Sequence, residues 1–188
     1  MPEDKISIDA FKIITRAIAE EWSNLKAMVY HMTQLLVGAL DIKGCSILLL
    51  NRESNELERA ASFGLSLAFL EKGPVMAEKS VARTMEGETI IIRDVGRDKQ
   101  LQYPDETLKE GIGAVVSVPI PYLNETIGVL RLYHRQVWDI SERDVDSLRA
   151  LAGLMGVAIM HTRYLNGLQC INEVLCEYPQ EWISPSRT

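Results

Sequence analysis

The side chains that most often do chemistry are sparse in this chain of 188 residues. His31, His134 and His161, with Cys45, Cys170 and Cys176, are the candidates for metal ligation, proton transfer or nucleophilic attack. Each of those roles needs partners held within bonding reach. The histidines fall on three different predicted elements, and the cysteines are odd in number with no CxxC spacing, so neither a disulfide framework nor a zinc site is suggested. Cys170 and Cys176 are separated by a step that turns them about 240° apart on a helix. Cys45 stands in an apolar strand, where a thiolate is disfavoured. G-x-S-x-G, P-loop and HExxH signatures are absent, and Gly111-Ile112-Gly113 precedes a strand where a dinucleotide fingerprint would follow one. The expectation is a protein without catalysis, metal or cofactor.

Binding chemistry has better candidates. Strand alternation puts Ser117 on the side of Val115 and Pro119, Phe63 on the side of Ala61 and Arg59, and Arg131 beside Val129 and Tyr133. A serine among apolar neighbours must find a ligand, a water or a backbone group. A buried arginine needs an anion, supplied by Asp or Glu or by a ligand carboxylate or phosphate. Ser80-Val81-Ala82 opens a short predicted helix whose unbonded N–H groups suit an anionic ligand group.

The elements that must position these residues follow from periodicity. Residues 7–40 read as one long helix with Ser7 as N-cap and Asp9 near its positive end. Along it Trp22, Leu25, Val29, Met32 and Leu36 alternate in steps of 3 and 4, the spacing of a coiled-coil seam. Short apolar runs at 45–50 and 57–63 flank a polar turn and predict a hairpin. Helical patches at 65–70 and 80–86 end at Gly73-Pro74 and Gly87, and residues 89–92 form a β-branched strand. The polar segment 93–110 is the loop best suited to function, and a second hairpin spans 114–134. Ser141 to Asp144 forms a capping box, with Asp144 reaching back to the cap and Ile140 stapled to Val145. The helix that starts there is expected to run to about Cys176, before Pro179. It carries a stripe through Leu151, Leu154, Ala158, His161, Leu165 and Leu168 and a second through Leu148, Ala152, Met155 and Ile159. One stripe suits the sheet and the other a partner. Gly153, Gly156 and Gly167 either permit close packing or mark breaks.

Composition narrows the partners. A hydrophobic fraction of 47% describes a globular chain with one core. The net charge of -6 disfavours nucleic acid. The charged start and the lack of a long apolar run predict a cytoplasmic location with no membrane partner.

This order of elements is α+β with an antiparallel sheet, and within it residues 35–165 resemble a GAF domain. The resemblance is carried by Cys45-Ser46-Ile47-Leu48-Leu49-Leu50, Ala60-Ala61-Ser62-Phe63-Gly64, Ser80-Val81-Ala82, Ile90-Ile91-Ile92-Arg93-Asp94-Val95, Val116-Ser117-Val118-Pro119-Ile120 and Ile127-Gly128-Val129-Leu130. It implies a six-stranded antiparallel sheet with long N- and C-terminal helices on one face and a small-molecule pocket on the other. It also implies that Asp94 and Tyr103 occupy positions of polar ligand contact, along with Val81 and Ala82 at the helix start; the alternative is that Asp94 caps a turn and Tyr103 packs as a lid. Neither the bilin-binding nor the cyclic-nucleotide mark of the family stands between Arg93 and Ala114.

Residues 1–34 are then a dimerisation and signalling helix, 35–165 the GAF-like domain, and 166–188 a helical extension and tail. The expected function is small-molecule sensing, signalled through a helical homodimer in which Trp22, Leu25, Val29, Met32, Leu154, Ala158, His161 and Leu165 form the interface, with a signalling protein in trans as a further partner. A non-binding dimerisation scaffold is the alternative, and a cysteine-dependent free methionine sulfoxide reductase the lesser one.

Overall fold

The computed structural model describes residues 4–20, 22, 24–54, 56–71, 79–98, 101 and 103–176, the side chains of 79, 80 and 174–176 excepted. The stop at Gly73-Pro74, the Pro179 block and the tail after 176 lie outside the described residues.

The N-terminal region is two helices where one was expected. Ser7 Oγ accepts from Ala10 N at 3.1 Å and starts α1 (Ile8–Ile18); Asn24 Oδ1 accepts from Ala27 N at 3.1 Å and starts α2 (Leu25–Leu40). The second cap explains the break, because an Asn side chain that bonds the backbone three residues on offers the chain an alternative to continuing the helix. The indole of Trp22 donates to Ala17 O at 3.1 Å and folds the connection back over the end of α1. The heptad-like seam of α2 is also reassigned. Val29, Met32 and Leu36 are buried inside a single chain, so at Val29 and Met32 the seam is the core-facing stripe and not a surface left for a partner.

Five strands form one antiparallel sheet, in the order β2 (Glu56–Phe63), β1 (Gly44–Asn51), β5 (Glu125–His134), β4 (Ala114–Tyr122), β3 (Ile90–Ile92). The sixth strand that the family resemblance implies does not occur among the described residues. After β3 the chain turns away at Asp94, whose Oδ1 accepts from Gly96 N at 3.0 Å, and leaves the sheet edge. Beyond it lies α5 (Pro104–Lys109), with Pro104 in its first turn.

The helix α6 (Glu142–Cys176) runs unbroken for 35 residues. At ~1.5 Å per residue that is about 50 Å. Leu148, Leu151, Ala152, Met155 and Ile159 are buried in the layer between α6, α2 and the sheet. Leu151 therefore belongs with the core stripe. Gly156 explains how α6 comes so near β4: a Cβ there would sit 2.0 Å from Pro121 O. Gly153 and Gly167 meet nothing within 4 Å and do not interrupt the helix.

Half of the expected capping box forms. Ser141 Oγ accepts from Asp144 N at 3.0 Å, but the Asp144 carboxylate, fully buried, accepts instead from Lys5 N at 2.8 Å and Ile6 N at 3.0 Å. The N-terminal segment is thereby strapped to the start of α6, reinforced by Arg143 to Asp4 at 2.9 Å. Lys5 Nζ lies 2.6 Å from His134 Nε2 and 5.6 Å from the Trp138 ring centroid. Burial first, and then the positive charges of Lys5 and Arg135, hold His134 below the ordinary imidazole range, against the Gln136 carbonyl and Asp41.

Candidate functional site

The sheet face away from α2 and α6 carries the polar residues. Alternation sends Cys45, Ile47, Val116, Val118, Leu130 and Leu132 into the layer under the helices, so that Ser46, Ser117 and Arg131 face the other side. Register aligns these three into one row: Ser46 is opposite Arg131 across β1 and β5, and Ser117 is opposite Arg131 across β5 and β4. All three are buried. The Arg131 guanidinium lies 5.6 Å from the centroid of the Tyr133 ring, and Tyr133 meets Phe69 edge-on at 5.7 Å. Phe69 belongs to α3 (Leu67–Leu70), a single turn capped by Ser66. Ser117 Oγ has no hydrogen-bond partner among the described residues, although the residue is 1% exposed. An unsatisfied buried hydroxyl costs on the order of 1–3 kcal/mol, which a bound molecule or water recovers.

The other expected site residues divide. Val81, in α4 (Lys79–Met85), is buried against Leu48 and Val129 on this same face, whereas Ala82 points to solvent. The Ser80 side chain lies outside the described residues. Asp94 caps its own turn: beyond the Gly96 bond, its Oδ2 lies 3.3 Å from Arg97 Nε. Tyr103 precedes α5 half-buried, and its carbonyl accepts from Thr107 N at 3.1 Å and Thr107 Oγ1 at 2.6 Å. Phe63 is a correction, since it meets Tyr30 of α2 edge-on at 6.2 Å and so faces the helices. A register shift between Ile47 and Leu48 inserts an extra residue into β2, so strict alternation fails between Arg59 and Ala61. Ser46 was missed; it can be found once β1 and β5 are paired in register.

On the helix side, Trp22, Leu154, Ala158 and His161 line one cavity of about 370 Å³ between the end of α1 and α6. Leu25 and Leu165 are half-buried. The exposed apolar stripe of α6 is rotated from the expected one. It runs through Leu154, Val157, His161, Tyr164, Leu168 and Ile171, in steps of 3, 4, 3, 4 and 3. The signal was present in the sequence, but two interleaved stripes fit the same helix until the core claims one of them.

The cysteines are kept apart. Cys45 is fully buried under the helices, where burial pushes its thiol well above the ordinary range, and Cys170 is exposed on α6. No group of three or more His, Cys, Asp or Glu side chains that could hold a metal ion occurs among the described residues. No helix among them is long and apolar enough to cross a membrane.

A sequence profile of the GAF domain family matches residues 23–160. The chain belongs to the GAF domain family. Its fold is shared by the GAF domain of a phosphoenolpyruvate-protein phosphotransferase from Coxiella burnetii, with a TM-score of 0.73 and 20% identity over 85% of this chain and 96% of that one. The corresponding domain from Acinetobacter aligns with a TM-score of 0.69 and 22% identity over 86% and 97% of the two chains. A free methionine-R-sulfoxide reductase from Neisseria meningitidis, solved in complex with its substrate, aligns with a TM-score of 0.68 and 18% identity over 88% and 98%. No curated protein matches the chain in sequence. As a GAF domain the chain belongs to a class of common sensory and regulatory modules, and α1 precedes the matched segment while the outer part of α6 follows it.

Proposed function

We propose that this GAF domain is a regulatory sensor that binds a small molecule on the sheet face bearing Ser46, Arg131 and Ser117 and signals as a homodimer through α6. The observation that carries the reading is the exposed heptad stripe of α6 from Leu154 to Ile171, which continues past the family segment and past the last core contact at Thr162 into residues 167–173, all of them exposed. Six such positions in steps of 3 and 4 form a seam that one helix cannot bury alone. Two copies related by a two-fold axis would bury it reciprocally. The buried Ser117 hydroxyl supports the ligand half of the reading. β4, which carries Ser117, packs directly on α6, so a change at Ser117 has a short route to the seam. The output passes in trans to a signalling protein.

A non-binding scaffold is favoured by one observation: Val81 with Leu48 and Val129 fills part of the same face with the chain's own side chains. The reductase reading has no such support, since Cys45 and Cys170 sit in different environments. Sedimentation velocity of the full chain tests the dimer. The wild type should sediment as a dimer at micromolar concentration, with Leu168→Glu a folded monomer; a monomeric wild type, or a Leu168→Glu dimer of undiminished affinity, would remove the basis for signalling through α6.

A further inference from the structure

On the helix side, well away from the Ser117 row, a groove of about 660 Å³ lies between the first turn of α2, the β1–β2 hairpin and α6. Lys26, Arg52, Arg59 and Arg163 line it against two carboxylates, in a chain whose overall charge is negative. Arg59 is turned away, donating to Leu70 O at 2.8 Å, and Arg52 holds Glu125 at 2.5 Å. Glu58 is engaged with Asn51 at 2.7 Å. Arg163 is different. It is half-buried, and its hydrogen-bond contact is the Met160 sulfur at 4.0 Å. Burial first, and the Arg52 charge second, hold its guanidinium below the ordinary arginine range. Two guanidinium groups thus line one groove close enough for their charges to oppose, Arg52 held by Glu125 and Arg163 by the Met160 sulfur, next to a helix whose first turn has no acidic residue.

We infer that this groove is a second ligand site, for a phosphate group, held by Arg163 and Arg52 with Lys26 at its mouth and Val29 and Leu49 as an apolar floor. A dianion offers each guanidinium paired oxygens in the geometry it prefers and relieves the repulsion between them. Its bridging position matters for the fold. Arg163 stands just beyond the family segment, where α6 begins to extend past the domain, so an anion there ties the outer part of α6 to α2 and the hairpin. The site is independent of the Ser117 row and of the dimer seam.

The test is a titration of the full chain with inorganic phosphate at constant ionic strength set by sodium chloride, read by the arginine Nε–H resonances and by the melting temperature. The inference predicts a saturable shift of the Arg163 resonance and a rise in melting temperature. Arg163→Leu should keep a cooperative unfolding transition and bind phosphate at least about tenfold more weakly, the loss expected when charge-assisted hydrogen bonds are removed. Arg163→Lys should recover part of the affinity, and Lys26→Gln, on an exposed position, should weaken it without affecting folding. A response that sodium chloride reproduces, or equal phosphate affinity in the wild type and Arg163→Leu, would overturn it. Should Arg163→Leu not fold, unchanged affinity in Lys26→Gln together with no movement of the Arg163 resonance would do the same.

Discussion

Under α2 and α6 the sheet is closed by Ile47, Val116, Val118, Leu130 and Leu132 meeting Met32, Leu36, Leu148 and Met155, all buried and apolar. The opposite face is built from the same strands, yet it carries Ser46, Arg131 and Ser117 in a row, with an unsatisfied hydroxyl, and it is covered by the one-turn α3 and the two-turn α4. The difference separates what the sheet does on its two sides. One side stores stability in close packing, and the other keeps polar groups buried, as the proposed ligand site requires. Substitutions should therefore cost stability on the first face and binding on the second.

The largest effect belongs to the packed face. Leu148→Ala should cost about 2–5 kcal/mol, because Leu148 is fully buried and the rigid layer around it relaxes only in part. Urea denaturation measures it, and a loss below about 1 kcal/mol would mean the layer is looser than described. Gly156→Ala comes next at about 1–3 kcal/mol, since its Cβ would collide with backbone at Pro121 and push α6 off β4. Gly167→Ala, with nothing near it, should instead be neutral or slightly stabilising in the same assay.

The N-terminal strap gives a pH-dependent prediction. A histidine held below its ordinary range contributes stability that is present above the unfolded-state pKa and is lost as pH falls through the folded-state value. The pH window therefore opens below about 6.5. Protonation would place a positive imidazolium against Lys5 and loosen the strap that Asp144 anchors. Stability of the wild type should fall as pH drops below that point. In His134→Gln the decline should be shallower, and equal slopes would detach His134 from the strap.

The smallest stability effect sharpens the contrast most. Ser117→Ala should cost no stability, because it removes a buried hydroxyl with no hydrogen-bond partner among the described residues. A cost like that of Leu148→Ala would show that the polar row is structural and that the two faces do not differ in role.

Much of the packed face was legible in the sequence. Alternation separated Ser117 and Arg131 from Val116, Val118, Leu130 and Leu132, which pack under the helices, and the 3.6-residue period gave Leu148, Ala152, Met155 and Ile159 as one of two stripes on α6, the one that the structure assigns to the core. Local competition for backbone groups hid the rest. The Asn24 cap broke a helix whose apolar spacing alone read as continuous. The extra residue in β2 turned Phe63 to the helix side. Asp144 bonded Lys5 and Ile6, distant in sequence, instead of its own cap. Each of these is decided by a pairing that spacing cannot express. On the candidate site, Asp94 was legible only as a polar residue at a strand end, and its turn consumed the carboxylate.

Native mass spectrometry of the freshly purified 188-residue chain tests the central claim most directly, because one spectrum reports assembly and retained ligand together. The account predicts a dimer carrying a defined additional mass on each chain, diminished in Ser117→Val. A monomer with no bound mass would contradict both the seam on α6 and the site on the opposite face.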